Sequence, residues 1–247
     1  MPGRSGRQPR PRRSRPAGHL LGRPEPDLAH ANAHSVKPSR LEKRRTTSNP
    51  GPVSSRVPPT HRRQRRRAAD VSFVLDQLPS KWDGSGLIDR SRIAMVGQSI
   101  GGAAALATMV KNSRVRAGID MDGSTYARIP KSGFSRPFMF IGSEQHVPGG
   151  PTPTWDRDWK LLTGWKRWIV LAGAEHESCT DTPLLSGALG IKPVYGVLSG
   201  KRSAEIIRTY VAAFLDQHLQ ARRQTLLDKP STQYPEVKLC PENCGRS

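Results

Sequence analysis

Apolar residues first recur at helical spacing at Val71, Val74, Leu75 and Leu78. That spacing predicts a helix over 69–79, with Asp70 as its N-cap and Pro79 as its stop. A turn-rich polar loop, Lys-Trp-Asp-Gly-Ser-Gly, follows at 81–86. Residues 92–97, Arg-Ile-Ala-Met-Val-Gly, form a short apolar run of the kind that suits a strand buried on both faces. Residues 100–111 are dominated by Ala and Gly and predict a helix lying close against a sheet. The alternation then repeats. Strands are predicted at 115–121, 137–142 and 168–171, and a helix at 156–162. A long amphipathic helix is predicted over 203–219, with Ile207, Tyr210, Val211, Phe214, Leu215 and His218 along its stripe. Strands alternating with helices predict an α/β fold with a mostly parallel sheet flanked by helices.

Charge divides the chain unevenly. The 247 residues carry 40 Lys+Arg and 20 Asp+Glu, a formal net charge of +20. Residues 1–67 hold 18 of those bases, 3 of the acids and 11 of the 22 prolines, but no Phe, Tyr or Trp. Such a segment cannot bury enough apolar surface to offset its ordering entropy, so 1–67 is expected to be disordered. The folded part is expected at 68–222, followed by a C-terminal tail at 223–247. No run approaches the roughly 20 apolar residues that span a bilayer. Met1 to Arg15 is basic but leads into no apolar stretch, so it does not read as a secretory signal, and localisation stays open. The run His61–Arg67 can attract phosphate without sequence choice. With no aromatic residue to stack bases, no specific nucleic-acid partner is expected. Of the three cysteines, Cys240 and Cys244 could close a small loop or supply half a zinc site, but no second ligand pair completes one, so no metal is expected. No internal repeat is visible.

The candidate chemistry centres on Gly97-Gln98-Ser99-Ile100-Gly101-Gly102, between a predicted strand and a predicted helix. This is G-x-S-x-G in the context of a nucleophile elbow. Ser99 would occupy a strained turn, with Gly97 and Gly101 removing side chains that would collide across it. A serine nucleophile needs a base, and the base an orienting carboxylate, in the order Ser, acid, His. Three histidines lie downstream. His218 falls late in the last helix, and His146 sits in a Pro/Gly-rich loop. His176 follows the last predicted strand and is the favoured base. For the acid, Asp122 is favoured as the more terminal of Asp120 and Asp122 at one strand end, with Glu144 after the next strand as the alternative.

From about Ala69 to Leu219 the chain resembles the platelet-activating-factor acetylhydrolase-type branch of the α/β-hydrolases, and more closely the lipase/esterase-like hydrolases of actinobacteria. The resemblance is carried by Gly-Gln-Ser-Ile-Gly-Gly-Ala at 97–103, Gly-Ile-Asp-Met-Asp-Gly at 118–123, and the segments at 140–150, 162–168 and 173–181. It implies an α/β-hydrolase fold and Asp122 rather than Glu144 as the acid. It also implies cleavage of lipid or short-acyl esters through an acyl-enzyme, with no cofactor. In that scheme Ser99 attacks, His176 takes its proton, Asp122 holds the imidazole and the backbone N–H of Ile100 donates to the oxyanion. Two departures stand out. Gln98 replaces a His common in the family, and nothing in 1–67 resembles the family's N-terminal strands. Those strands are therefore expected to be lacking, which would expose the elbow strand as a sheet edge and leave the chain folding poorly and weakly active. Two alternatives are a catalytically dead relative and non-specific nucleic-acid binding through the basic N-terminus. The composition of 1–67 is what a GC-rich coding sequence yields in another frame or from a wrong start. We expect another frame of the upstream DNA to encode a strand–helix pattern with a His-Gly loop joining near Ala69. Translation in all frames checks this, and the absence of such a frame refutes it.

Overall fold

The computed structural model describes residues 59–191 and 196–240. Among them are helices α1 (Pro59–Lys81), α2 (Ile100–Lys111), α3 (Thr154–Trp159), α4 (Thr182–Ala188) and α5 (Gly200–Leu219). The strands are β1 (Ile93–Gln98), β2 (Val115–Met121), β3 (Phe138–Gly142), β4 (Lys166–Leu171) and β5 (Val237–Cys240). They form one sheet in the order β1-β2-β3-β4-β5, in which β1 to β4 are parallel and β5 is antiparallel to β4.

The period-two alternation of the strands builds two cores. Ile119, Met139, Ile141, Ile169 and Leu171 face α5, where Ile206, Tyr210, Ala213 and Phe214 cover them. Phe138, Phe140, Trp168 and Val170 face the other way, against Leu106 and Met109 of α2 and Trp155 of α3. The result is a mostly parallel sheet with helices on both faces, as the sequence pattern predicts. The small residues Ala103 to Ala107 of α2 are buried, letting that helix lie close to the sheet. The Arg136 guanidinium closes the C-terminal end of α2. It donates to the carbonyls of Met109, Asn112 and Val115 and packs over the Phe134 ring.

Several expectations are corrected. Helix α1 starts at Pro59, so 59–67 is not disordered and the boundary at 67/68 falls inside a helix. Arg, Gln and Ala are strong helix formers, and Pro suits a first helical position. Gln64 and Ala68 extend the buried stripe one turn at a time upstream, while the arginines around them stay exposed. Asp70 is therefore an exposed mid-helix residue, and Pro79 lies within the last turn. The remainder of the expected disordered segment, 1–58, lies outside the described residues. Helix α3 is shorter and earlier than the predicted 156–162. The α5 stripe is rotated, centring on Ile206, Tyr210 and Phe214. Strand β1 is the edge of the described sheet and all six of its residues are half-buried.

The reading of 223–247 as a tail also fails, up to Cys240. Tyr234, Val237, Leu239 and Cys240 are buried, and β5 extends the sheet. Arg202 of α5 ties this segment down through both oxygens of Glu236 (2.8 and 3.0 Å) and the Gln233 carbonyl. A four-residue strand has too short a pattern to stand out from a tail until β4 pairs with it. Cys240 is disulfide-bonded, Cys179 is a free buried thiol, and Cys244 lies outside the described residues. No helix of the described residues is long and apolar enough to cross a membrane. If β5 belongs to the core, Leu239→Ala lowers the unfolding free energy by about 2–4 kcal/mol in urea denaturation. A change below about 0.5 kcal/mol, the usual surface value, would place this segment outside the cooperative fold.

Candidate active site

Ser99 sits at the junction of β1 and α2 with φ 56° and ψ −125°, a backbone conformation rare for a residue with a side chain. Its N–H donates to the Met121 carbonyl at 2.8 Å, and its own carbonyl accepts from Ala103 at 3.0 Å. The turn is crowded at two glycines. A Cβ on Gly97 would lie 2.4 Å from the carbonyl carbon of Gly101, and one on Gly102 would lie 2.6 Å from the Gly97 carbonyl oxygen and 2.0 Å from Oδ1 of Asp120. At Gly101 a Cβ meets open space. The steric requirement expected of Gly101 therefore belongs to Gly102, because the helix turns its next residue toward the sheet. Ile100 opens α2, where the first N–H groups lack intrahelical partners.

Asp122 lies one residue beyond β2, also at φ 56°, and its N–H donates to the Ile141 carbonyl at 2.8 Å. Its carboxylate is almost fully buried. Oδ2 lies 2.6 Å from Nδ1 of His176. Oδ1 accepts the Ser143 N–H at 2.7 Å and lies 2.8 Å from Nδ1 of His146, a close approach without hydrogen-bond alignment. Burial by itself would raise the Asp122 carboxyl. Together, His146, the Ser143 N–H and His176 outweigh burial and hold it well below the usual carboxylate range. His176 begins a 3-10 turn after β4 and its side chain is 48% exposed. Its Nε2 lies 3.0 Å from Nε2 of Gln98.

Ser99, Ile100, Asp122 and His176 line one cavity of about 410 Å³. Among the described residues the Ser99 hydroxyl makes no hydrogen bond. The alternatives are placed elsewhere. Glu144 is exposed and accepts the Gly173 N–H at 2.9 Å. Asp120 is fully buried beneath the elbow, and neither carboxyl oxygen has a hydrogen-bond partner. His218 packs on Trp165 and Phe214, where burial lowers it to about 4.

Sequence reasoning missed part of the cavity wall. Gln64 bridges the Ser124 carbonyl (2.9 Å) and the Tyr126 N–H (3.2 Å), holding the loop after β2 against α1. Gln64 and Tyr126 line the cavity with Gln145, His146 and Thr152. The available signal was the continuation of the helical stripe upstream through Ala68 to Gln64. His146 is not placed as a base toward Ser99. Instead its ring is buried against Trp155, with centroids 4.2 Å apart, beside the carboxylate that contacts His176.

The family model described as platelet-activating factor acetylhydrolase, isoform II, matches residues 66–230. A protein of Arthroderma benhamiae named "Probable 1-alkyl-2-acetylglycerophosphocholine esterase" is 32% identical over 69% of this chain and 47% of its own length. The platelet-activating factor acetylhydrolase of Canis lupus familiaris is 26% identical over 66% of this chain and 36% of its own. The chain thus spans about half the length, or less, of these relatives. Among solved structures, the ferulic acid esterase from Streptomyces cinnamoneus matches with a TM-score of 0.67 and 38% identity, covering 76% of this chain and 57% of that one.

Burial raises the Asp120 carboxyl well above the usual range, whereas in the unfolded chain it ionises above about pH 4. A raised folded value gives stability that is present at low pH and lost as pH rises. Asp120→Asn removes that loss. Its gain in urea-unfolding free energy over the parent is expected to be small near pH 4 and to grow toward pH 7. A difference independent of pH would mean that Asp120 is ionised in the folded protein.

Proposed function

Because the chain belongs to the platelet-activating factor acetylhydrolase, isoform II, family, we propose that it hydrolyses carboxylic esters through an acyl-enzyme on Ser99. The observation that carries this reading is the 2.6 Å contact between Asp122 and Nδ1 of His176, in the same cavity as a serine at a positive-φ elbow. The Ser99 oxygen forms a bond to the ester carbonyl carbon while its proton passes to Nε2 of His176. The carbonyl electron pair moves onto oxygen, where the Ile100 N–H and the N-terminal end of α2 stabilise it; one such donor is typically worth about 10²–10³ in rate. Collapse breaks the bond to the alcohol oxygen, which leaves with the proton from His176. Water, deprotonated by His176, then cleaves the acyl-enzyme by the same steps in reverse. Asp122, kept ionised by its contacts, orients the ring and stabilises its charged form.

The cavity bears on substrate class. Gln64, Ser124, Tyr126, Gln145 and Thr152 help line a cavity of about 410 Å³. A cavity of this size accommodates an acetyl or other short acyl ester, and that is the substrate class we propose.

The expected result is hydrolysis of p-nitrophenyl acetate with higher kcat/KM than of the octanoate. Ser99→Ala should lower kcat by at least about 10³-fold and Asp122→Asn by about 10²–10⁴-fold. An activated phosphonate should label the parent and not Ser99→Ala. A folded parent that hydrolyses no ester and takes no label is instead a catalytically dead relative.

A further inference from the structure

Gln98 stands between the first glycine and the serine of the elbow, and the acyl-transfer scheme gives it no part. Its side-chain Nε2 makes two contacts with one residue, at 3.2 Å from the His176 carbonyl oxygen and 3.0 Å from the ring Nε2. Only a donor fits against a carbonyl oxygen, so this atom is the amide NH2 and not Oε1. An amide nitrogen accepts no hydrogen bond. The ring Nε2 is therefore the acceptor and carries no proton, and the ring proton sits on Nδ1, donated to Oδ2 of Asp122 at 2.6 Å.

The other charged or titratable groups around the ring do not reach Nε2. Asp122 is at Nδ1, and His146 lies beyond Asp122. On the ring's own turn, the Glu175 side chain accepts from the backbone N–H of Ser178 and the Glu177 carboxylate lies 3.5 Å from the Thr180 hydroxyl. Among the described residues, Gln98 alone makes a hydrogen bond to Nε2.

We propose that Gln98 is a positioning residue that occupies the Nε2 lone pair of His176 at rest, so that the Ser99 hydroxyl must displace the Gln98 amide before attack. This rests on the serine reading above. The bond to ionised Asp122 already fixes the tautomer, because it is charge-assisted and short. The net effect of Gln98 is therefore competition at Nε2, of the size of one neutral hydrogen bond.

The test compares Gln98→Leu, which keeps the bulk and removes the donor, with Gln98→Glu, which puts an acceptor in its place. The readouts are second-order phosphonylation of Ser99 and the ¹⁵N spectrum of the imidazole. Gln98→Leu should react about 2- to 10-fold faster than the parent, the rate equivalent of releasing one neutral hydrogen bond. Gln98→Glu should react at least about tenfold slower, since its carboxylate draws a proton onto Nε2. Leu at or below the parental rate, or both variants slowed alike, overturns the proposal. The parent's spectrum should show a bare Nε2 and a protonated Nδ1, and Gln98→Leu should shift the Nε2 resonance selectively. A protonated Nε2 in the resting parent, or no Nε2 shift, overturns it as well. Failure of the serine reading is separate: the parent then takes no label, while the spectra still decide whether Gln98 holds Nε2.

Discussion

The carboxylate of Asp122 is the point through which the rest of the site is held. It is removed from water at the end of β2, yet the Ser143 N–H, His176 and His146 surround it closely enough to keep it ionised. Those partners come from two connections. Ser143 and His146 follow β3, and His176 follows β4. The parallel register of β2, β3 and β4 brings their C-terminal ends together, and the left-handed backbone at Asp122 turns its side chain out of the strand alternation toward them. A buried charge is tolerable only when satisfied in this way. The sheet geometry and the ionised carboxylate therefore require one another.

The elbow depends on a second constraint, the closeness of α2 to β1 and β2. Gly97 and Gly102 allow backbone to approach backbone, and the buried alanines continue that approach along the helix. Asp120 sits in the same gap, where burial raises its carboxyl well above the usual range. The two acids of one strand end are thus shifted in opposite directions two residues apart. One projects into the layer between helix and sheet, and the other emerges where backbone and imidazole donors collect. The outer wall is looser. Half of the His176 side chain is exposed, and α1 contributes to the cavity through Gln64, a polar residue on an otherwise arginine-rich turn.

The sequence by itself determined whatever depends on local pattern. Apolar runs and small-residue stretches located β1 to β4, α2 and most of α5, because the alternation of apolar strands with helices is written residue by residue. The G-x-S-x-G context made Ser99 the candidate nucleophile, and a place after the last predicted strand made His176 the candidate base. Composition misled at 59–67, and shortness of pattern at 237–240. Arginine-rich chain reads as unfoldable on average, yet Gln64 and Ala68 carry one buried stripe through it. A four-residue strand at 237–240 has no periodicity of its own. Tertiary structure alone decided what depends on the meeting of distant segments. It set Asp122 against Nδ1 of His176, moved the steric demand from Gly101 to Gly102, set His146 beside the carboxylate and brought Gln98 to Nε2 of His176. Those relations arise from sheet register and the direction of side chains in three dimensions, which no spacing along the chain encodes.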